Sequence, residues 1–163
     1  MIKKIISLGV LLVFMLAFTA GCGDGIKYKA NIYHESFSNG YPLPTIINSV
    51  DELKALCIEF NAYALDKDSS TYSSKLNEKI RAYNNTYFTR KSLILCQFSV
   101  NRGSKFRIDR LRIEDDILFV DILFNRVSTL AMIDIWTVLI EIKKSDIVGV
   151  TAIRYQFDYN IDE

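Results

Sequence analysis

The sequence predicts an α+β fold: one or two N-terminal helices packed on a mostly antiparallel sheet of about five strands. Three observations lead there. A capped, amphipathic helix pattern lies in the first half of the chain. Short apolar segments separated by tight-turn signals fill the second half. No internal repeat divides the 163 residues.

Taken in order, "IKYKANIY" at 26–33 alternates apolar and polar residues and reads as a strand. "ESFSNGYPLPT" at 35–45 holds an Asn-Gly pair and both prolines, which makes it a loop. "NSVDELKALCIEFNAYAL" then reads as a helix. Ser49 and Glu52 have the spacing of a capping box, in which the hydroxyl accepts from the third helical amide and the carboxylate reaches back. Leu53, Leu56, Cys57 and Phe60 follow as one apolar stripe. A polar loop at 66–75 separates this helix from a second one near 74–84, with Leu76, Ile80 and Tyr83 on one side.

The remainder reads as sheet. "SLILCQFSV" at 92–100 is a strand, and "NRGS" offers a turn at Gly103. "KFRIDRLRI" at 105–113 is a strand whose apolar phase slips between Ile108 and Leu111, the mark of a bulge. "EDD" at 114–116 is a tight turn. "ILFVDILF" at 117–124 is so uniformly apolar that it is expected to be a central strand covered on both faces. "IWTVLIEIKK" at 135–144 and "IVGVTAIRYQF" at 147–157 complete the set.

The first 22 residues carry an address. Lys3 and Lys4 open the chain, and a 14-residue run at 5–18 is apolar but for Ser7 and Gly9. Small residues then lead to a cysteine, and this three-part layout is that of an export signal. The run is too short for a permanent span, which takes about 20 apolar residues. The ending Thr19-Ala20-Gly21-Cys22 resembles the lipobox of bacterial lipoproteins, with Thr19 where Leu is usual. That resemblance implies removal of residues 1–21 and a thioether-linked diacylglycerol on Cys22, two acyl chains being what stable anchoring needs. The expected organisation is therefore a signal peptide at 1–21, a lipid-anchored tether carrying a strand at 22–44, and a globular domain at 45–163. The expected location is the extracytoplasmic face of the cell membrane.

Loss of the signal takes away two lysines and no acid, so 20 cations become 18 against 19 acids, a formal charge of −1. Such a balance gives no general attraction for nucleic acid. Cys57 and Cys96 remain beside Cys22; two exported cysteines could pair, but both fall on apolar faces where free cysteine is common. His34, the single histidine, is far from either in sequence, which disfavours a Cys–His nucleophile.

Candidate chemistry is sparse. Asp66, Asp68 and Ser70 have calcium-loop spacing, yet Thr71 stands where the loop needs Gly and Asn77 where it needs Glu. No phosphate loop, serine elbow or zinc motif occurs, so no catalytic residue, metal or cofactor is expected. Arg102, Lys105, Arg107, Arg110 and Arg112 fall within 11 residues, opposed by Asp109 alone. They form either a basic binding face or the wet side of an amphipathic strand. Trp136, near Asp134, is either an anchor in a binding face or a core residue.

Four stretches, "SVDELKAL" at 49–56, "YNNTYF" at 83–88 leading into "KSLILCQF", "GS" at 103–104 and "DIWTVLIEIKK" at 134–144, carry a family likeness. Together they resemble the bacterial lipoproteins related to the C-terminal domain of the B component of a protease complex. Tyr83, Asn84, Asn85, Tyr87 and Phe88 carry the first element of the likeness. Asp134, Trp136, Ile140, Glu141, Ile142 and Lys143 carry the last. Arg102 replaces a usual Ser or Gly, and Asn84-Asn85 replace acids. The resemblance implies a small α+β surface domain with an accessory role and no catalytic residues.

The expected function is a non-enzymatic module that binds an extracytoplasmic protein or wall polymer, with Trp136, Arg107 and Arg110 as contact residues. The alternative is a small-ligand carrier or an enzyme of unfamiliar type, which requires a pocket of roughly 300 Å3 or more with converging polar groups.

Overall fold

The computed structural model describes residues 25–37 and 39–159. Residues 1–24, with the expected signal and Cys22, lie outside them.

The strands are β1 (Tyr28–Tyr33), β2 (Thr45–Ile47), β3 (Lys91–Asn101), β4 (Lys105–Glu114), β5 (Ile117–Arg126), β6 (Ile133–Lys143) and β7 (Ala152–Tyr159). The helices are α1 (Val50–Phe60), α2 (Lys75–Ala82) and α3 (Asn85–Phe88), with single 3-10 turns at Ala62–Ala64 and Lys144–Ile147. Strands hold 44% of the described residues against 22% in helices, so the fold is mostly β rather than α+β.

A single sheet of about five strands does not form. The strands divide into a four-stranded sheet, β1-β6-β3-β2, and a three-stranded sheet, β4-β5-β7. The reason lies in which faces are apolar. On β3, Ile94, Cys96, Phe98 and Val100 enter one core while Leu93 and Leu95 enter another. A strand greasy on both sides needs two covering layers. The helices supply one, with Leu53, Cys57, Leu76, Ile80 and Phe88. The second sheet supplies the other, with Ile108, Leu111, Leu118, Val120, Ile122 and Phe124. The result is three layers: helices, first sheet, second sheet.

Connectivity follows from that split. After β3 the chain turns at Gly103, whose φ of +87° suits a residue without a Cβ. It then builds the β4–β5 hairpin in the other sheet. β6 returns to pair antiparallel with β3 over eleven residues, from Lys91↔Lys143 to Asn101↔Ile133. β7 crosses back and lies parallel to β5. β1, expected within the tether, pairs with β6 from Tyr28↔Ile142 to Tyr33↔Thr137.

The strands covered on both faces are thus β3 and β6, not β5. The outer side of β5 carries Ile117, Phe119 and Leu123, half-buried, with Arg112 lying over the Phe119 ring instead of a further layer. The slip expected in β4 is present as a register shift between Ile108 and Arg110. The "EDD" turn is tight, with Asp115 and Asp116 at φ +48° and +62°.

Local signals act as expected at the helix starts. Ser49 Oγ accepts from the Glu52 amide at 3.1 Å, while the Glu52 carboxylate accepts from the Asn48 amide at 2.7 Å, one residue earlier than in a strict capping box. Ser74 and Asn84 cap α2 and α3 in the same way. Two tyrosines join the sheets. Tyr28 Oη donates to Ile108 O at 2.9 Å. Tyr155 Oη accepts from the Gln97 amide at 3.2 Å and lies 3.4 Å from Gln97 O. β2 ends its pairing at Leu95, so that phenol satisfies edge groups of β3 that a longer β2 would have taken.

Left-handed backbone at two successive non-glycine residues suggests a simple test. Asp116→Gly is expected to stabilise the domain by about 0.5–1 kcal/mol in urea unfolding, and Asp116→Val to destabilise it by about 1–2 kcal/mol.

Candidate functional site

Three buried carboxylates, Asp121, Asp134 and Glu141, organise the polar side chains of the molecule. Each collects cations from another element, and three arginines of the basic run at 102–112 are shared between Asp121 and Asp134.

On the outer face of the second sheet, the irregularity at Asp109 resets the alternation of β4. Ile108 and Leu111 both point inward, and Arg107, Arg110 and Arg112 reach the outer face. Asp121 lies opposite Arg110 in register and is only 1% exposed. It accepts from Arg110 Nε at 2.7 Å and from Arg112 Nε at 3.0 Å. Arg112 also contacts Glu114 and Gln156, and its guanidinium lies 4.3 Å from the centre of the Phe119 ring. Arg107 pairs with Asp109 at 3.1 Å. Lys105 has no carboxylate partner among the described residues. Four of the five cations in the run therefore sit beside acids, and their field is cancelled within a few ångströms. Arg107, Arg110 and Arg112 thus form an ion-pair lattice on the outer face of the second sheet.

Arg102 takes the opposite course. The turn after β3 carries it to the first sheet, where its Nε donates to Asp134 at 2.8 Å. His34 Nε2 lies 3.4 Å from the same carboxylate oxygen. The hydrogen bond from Arg102, its charge and the nearby His34 together hold the Asp134 carboxyl below its ordinary value against the opposing effect of desolvation. The His34 ring stacks on Trp136 at 4.6 Å, and Phe106 meets Trp136 edge-on at 5.4 Å. Trp136 is half-buried, and its Nε1 is buried without a hydrogen-bond partner among the described residues. The connection from β5 to β6 at this same end exposes Leu130 and Met132, and β6 opens with Ile133, each more than half accessible. It is pinned by Arg102 N to Met132 O at 2.7 Å and by Ser128 N to Ser104 Oγ at 3.0 Å.

Glu141 lies on the helix side of β6. It accepts from Lys79 at 2.7 Å, and from Tyr83 Oη and Asn31 Nδ2 at 3.2 Å each. Burial pushes its carboxyl up, but the hydrogen bond and charge of Lys79, with Tyr83 and Asn31, outweigh burial and hold it below its ordinary value. The Tyr83 phenol is pushed far up, by burial first and by Glu141 next. Tyr83, Tyr87 and Phe88 form an aromatic cluster beside Glu141. Sequence reasoning misses the roles of both Glu141 and Asp121. The available signal is a lone acid inside an apolar strand, which requires a cation at hand.

The thiols are remote from this chemistry. Cys57 is buried in the helix-side core and Cys96 in the inter-sheet core, with the first sheet between them, and both are free. Burial raises Cys57 to about 11 and Cys96 to about 12. Asp66, in the loop with calcium-like spacing, accepts from the Asp68 amide as an ordinary turn, and no group of metal-binding side chains occurs among the described residues. An open groove of about 490 Å3 runs between β2 and the start of β7. It has the volume a small ligand would need, but its polar groups serve one another: Ser92 Oγ donates to Asn48 Oδ1 at 2.5 Å and Lys144 Nζ donates to Asn48 O at 2.9 Å.

No protein-family model, curated protein or solved structure matches this chain.

The sign of the Glu141 effect defines a pH test. Its folded value lies below the ordinary 4.5, so its contribution to stability is complete above 4.5 and is lost as pH falls through the lower folded value. Glu141→Gln is expected to cost about 1–2 kcal/mol at pH 7 and to flatten the acid limb of a stability–pH curve measured by urea unfolding.

Proposed function

We propose that this chain is a lipid-anchored bacterial surface protein that works as a non-enzymatic binding or accessory module, held on the extracytoplasmic face of the membrane through Cys22. Its partner is an extracytoplasmic protein, met at the Trp136 end of the sandwich. The supporting observation is the juxtaposition at that end of a stacked Trp136–His34 pair, the Arg102–Asp134 ion pair and the exposed side chains Leu130, Met132 and Ile133. Aromatic and arginine anchors beside accessible apolar side chains are the composition of protein-binding hot spots.

A protein partner is favoured over a wall polyanion because the arginine lattice is internally neutralised. Arg107 and Arg110 accordingly act in the fold more than in recognition. The placement of the chemistry supports a binding role in the same way. The three buried carboxylates are engaged in ion pairs, the two described thiols are buried, and His34 lies against Asp134 and Trp136. The anchor reading rests on the export signal and on Thr19-Ala20-Gly21-Cys22. No helix of the described residues is long and apolar enough to cross a membrane.

Two measurements test this. In a bacterial host, Cys22→Ala is expected to abolish the lipid-sized mass increment and to release the protein from the membrane fraction or leave its signal uncut. Retention of an unlipidated chain in the membrane by residues 1–21 contradicts the anchor. A photo-crosslinking residue at Leu130 is expected to capture a partner in living cells, and one at Ile58 on the helix layer is not. Trp136→Ala should lower the Leu130 yield roughly tenfold or more, while Arg107→Ala with Arg110→Ala leaves it within about twofold. Equal capture at both positions contradicts the assignment of the face.

A further inference from the structure

The four sheet edges are treated unequally. β2 is three residues long, β4 is broken by register shifts, and β1 carries Lys29 in a six-residue strand. Short length, bulges and lysines are the devices that keep strand edges from pairing with other chains. β7 has none of them. It is eight residues long, regular in its ladder with β5, free of Pro and Lys, and last in its sheet. No hydrogen bond from the rest of the described chain reaches its backbone apart from that ladder. Phe157 and Tyr159, on its inner side, are 39% and 60% exposed. A cleft of about 210 Å3 opens beside them between Val100 and Phe124.

The outer side of β7 reads Arg154, Gln156, Asp158. Arg154 has no carboxylate partner among the described residues. An antiparallel copy of this strand centred on Gln156 sets Arg154 against Asp158 and Asp158 against Arg154. It also sets Tyr155 against Phe157 and Ile153 against Tyr159. Moving the centre by one residue in either direction loses both charge pairs. The strand is therefore complementary to itself in one register, as an isologous interface requires.

We propose that β7 is a dimerisation edge, pairing antiparallel with β7 of a second copy of this chain about Gln156 to make a continuous six-stranded sheet. The contact closes on itself and also covers Phe157 and Tyr159.

The test uses the full-length chain extracted in detergent. Sedimentation velocity is expected to give a dimer. Gln156→Cys is expected to form an intermolecular disulfide under copper–phenanthroline, because facing residues on antiparallel strands lie about 5 Å apart. Ala152→Cys is not expected to do so, since its symmetry mate lies about 26 Å away. Arg154→Asp should raise the dimer dissociation constant roughly tenfold, and adding Asp158→Arg should restore it. A monomer at about 100 μM, equal cross-linking at 152 and 156, or failure of the double charge exchange to restore the dimer overturns the proposal.

Discussion

The structure depends on one pairing: the eleven-residue antiparallel ladder between β3 and β6. Both strands are apolar on both sides, so together they form a wall with a core on each face. Leu93, Leu95 and Leu139 face the helices, while Ile94, Cys96, Val138 and Ile140 face the second sheet. The helix layer covers one face of this wall and the β4-β5-β7 sheet the other. The wall is what makes a chain of this size three layers deep. It also explains why strands adjacent in sequence are not all adjacent in space.

Charge in this molecule serves mainly to let apolar strands carry polar residues. Asp121 and Glu141 each sit inside a strand that is otherwise greasy, and each is made tolerable by cations delivered from a neighbouring element. Once such a carboxylate is buried, removing its cations leaves an uncompensated charge, so the partners must be in place whenever the strand is. Asp121 accepts only a β4 register that places Arg110 and Arg112 beside it, and the bulge at Asp109 provides that register. Glu141 accepts only a helix layer whose Lys79 and Tyr83 lie over β6. The two acids thus key the two outer layers to their strands.

Local features are legible in the sequence because they are decided by neighbours along the chain. The Ser49 cap, the slip between Ile108 and Leu111 and the turn at Asp115 and Asp116 all form where expected. The division into two sheets is not legible. Hairpin signals imply sequential pairing, whereas β3 pairs with β6 across an intervening hairpin. The uniform apolarity of 117–124 points to a second buried face. Its outer residues are instead half-buried, with the Arg112 guanidinium lying over the Phe119 ring. Trp136 is visible as a candidate, but its setting is not, since His34 arrives from the far end of the chain. The lone acids of β5 and β6 escape notice because an isolated carboxylate in a strand looks like noise until its cations are placed in space.

Sheets stacked through greasy faces have little to stop them sliding, because dispersion and the hydrophobic effect carry almost no direction. The tyrosine contacts supply direction at two points on opposite margins: Tyr28 fastens β1 to β4, and Tyr155 fastens β7 to β3. A plate held by one pin can still pivot; held by two, it cannot. Burial is the first cause that raises both phenols above their ordinary values. The two hydroxyl groups thus tie the sandwich like rivets at two separate points, giving a non-directional apolar interface one fixed orientation.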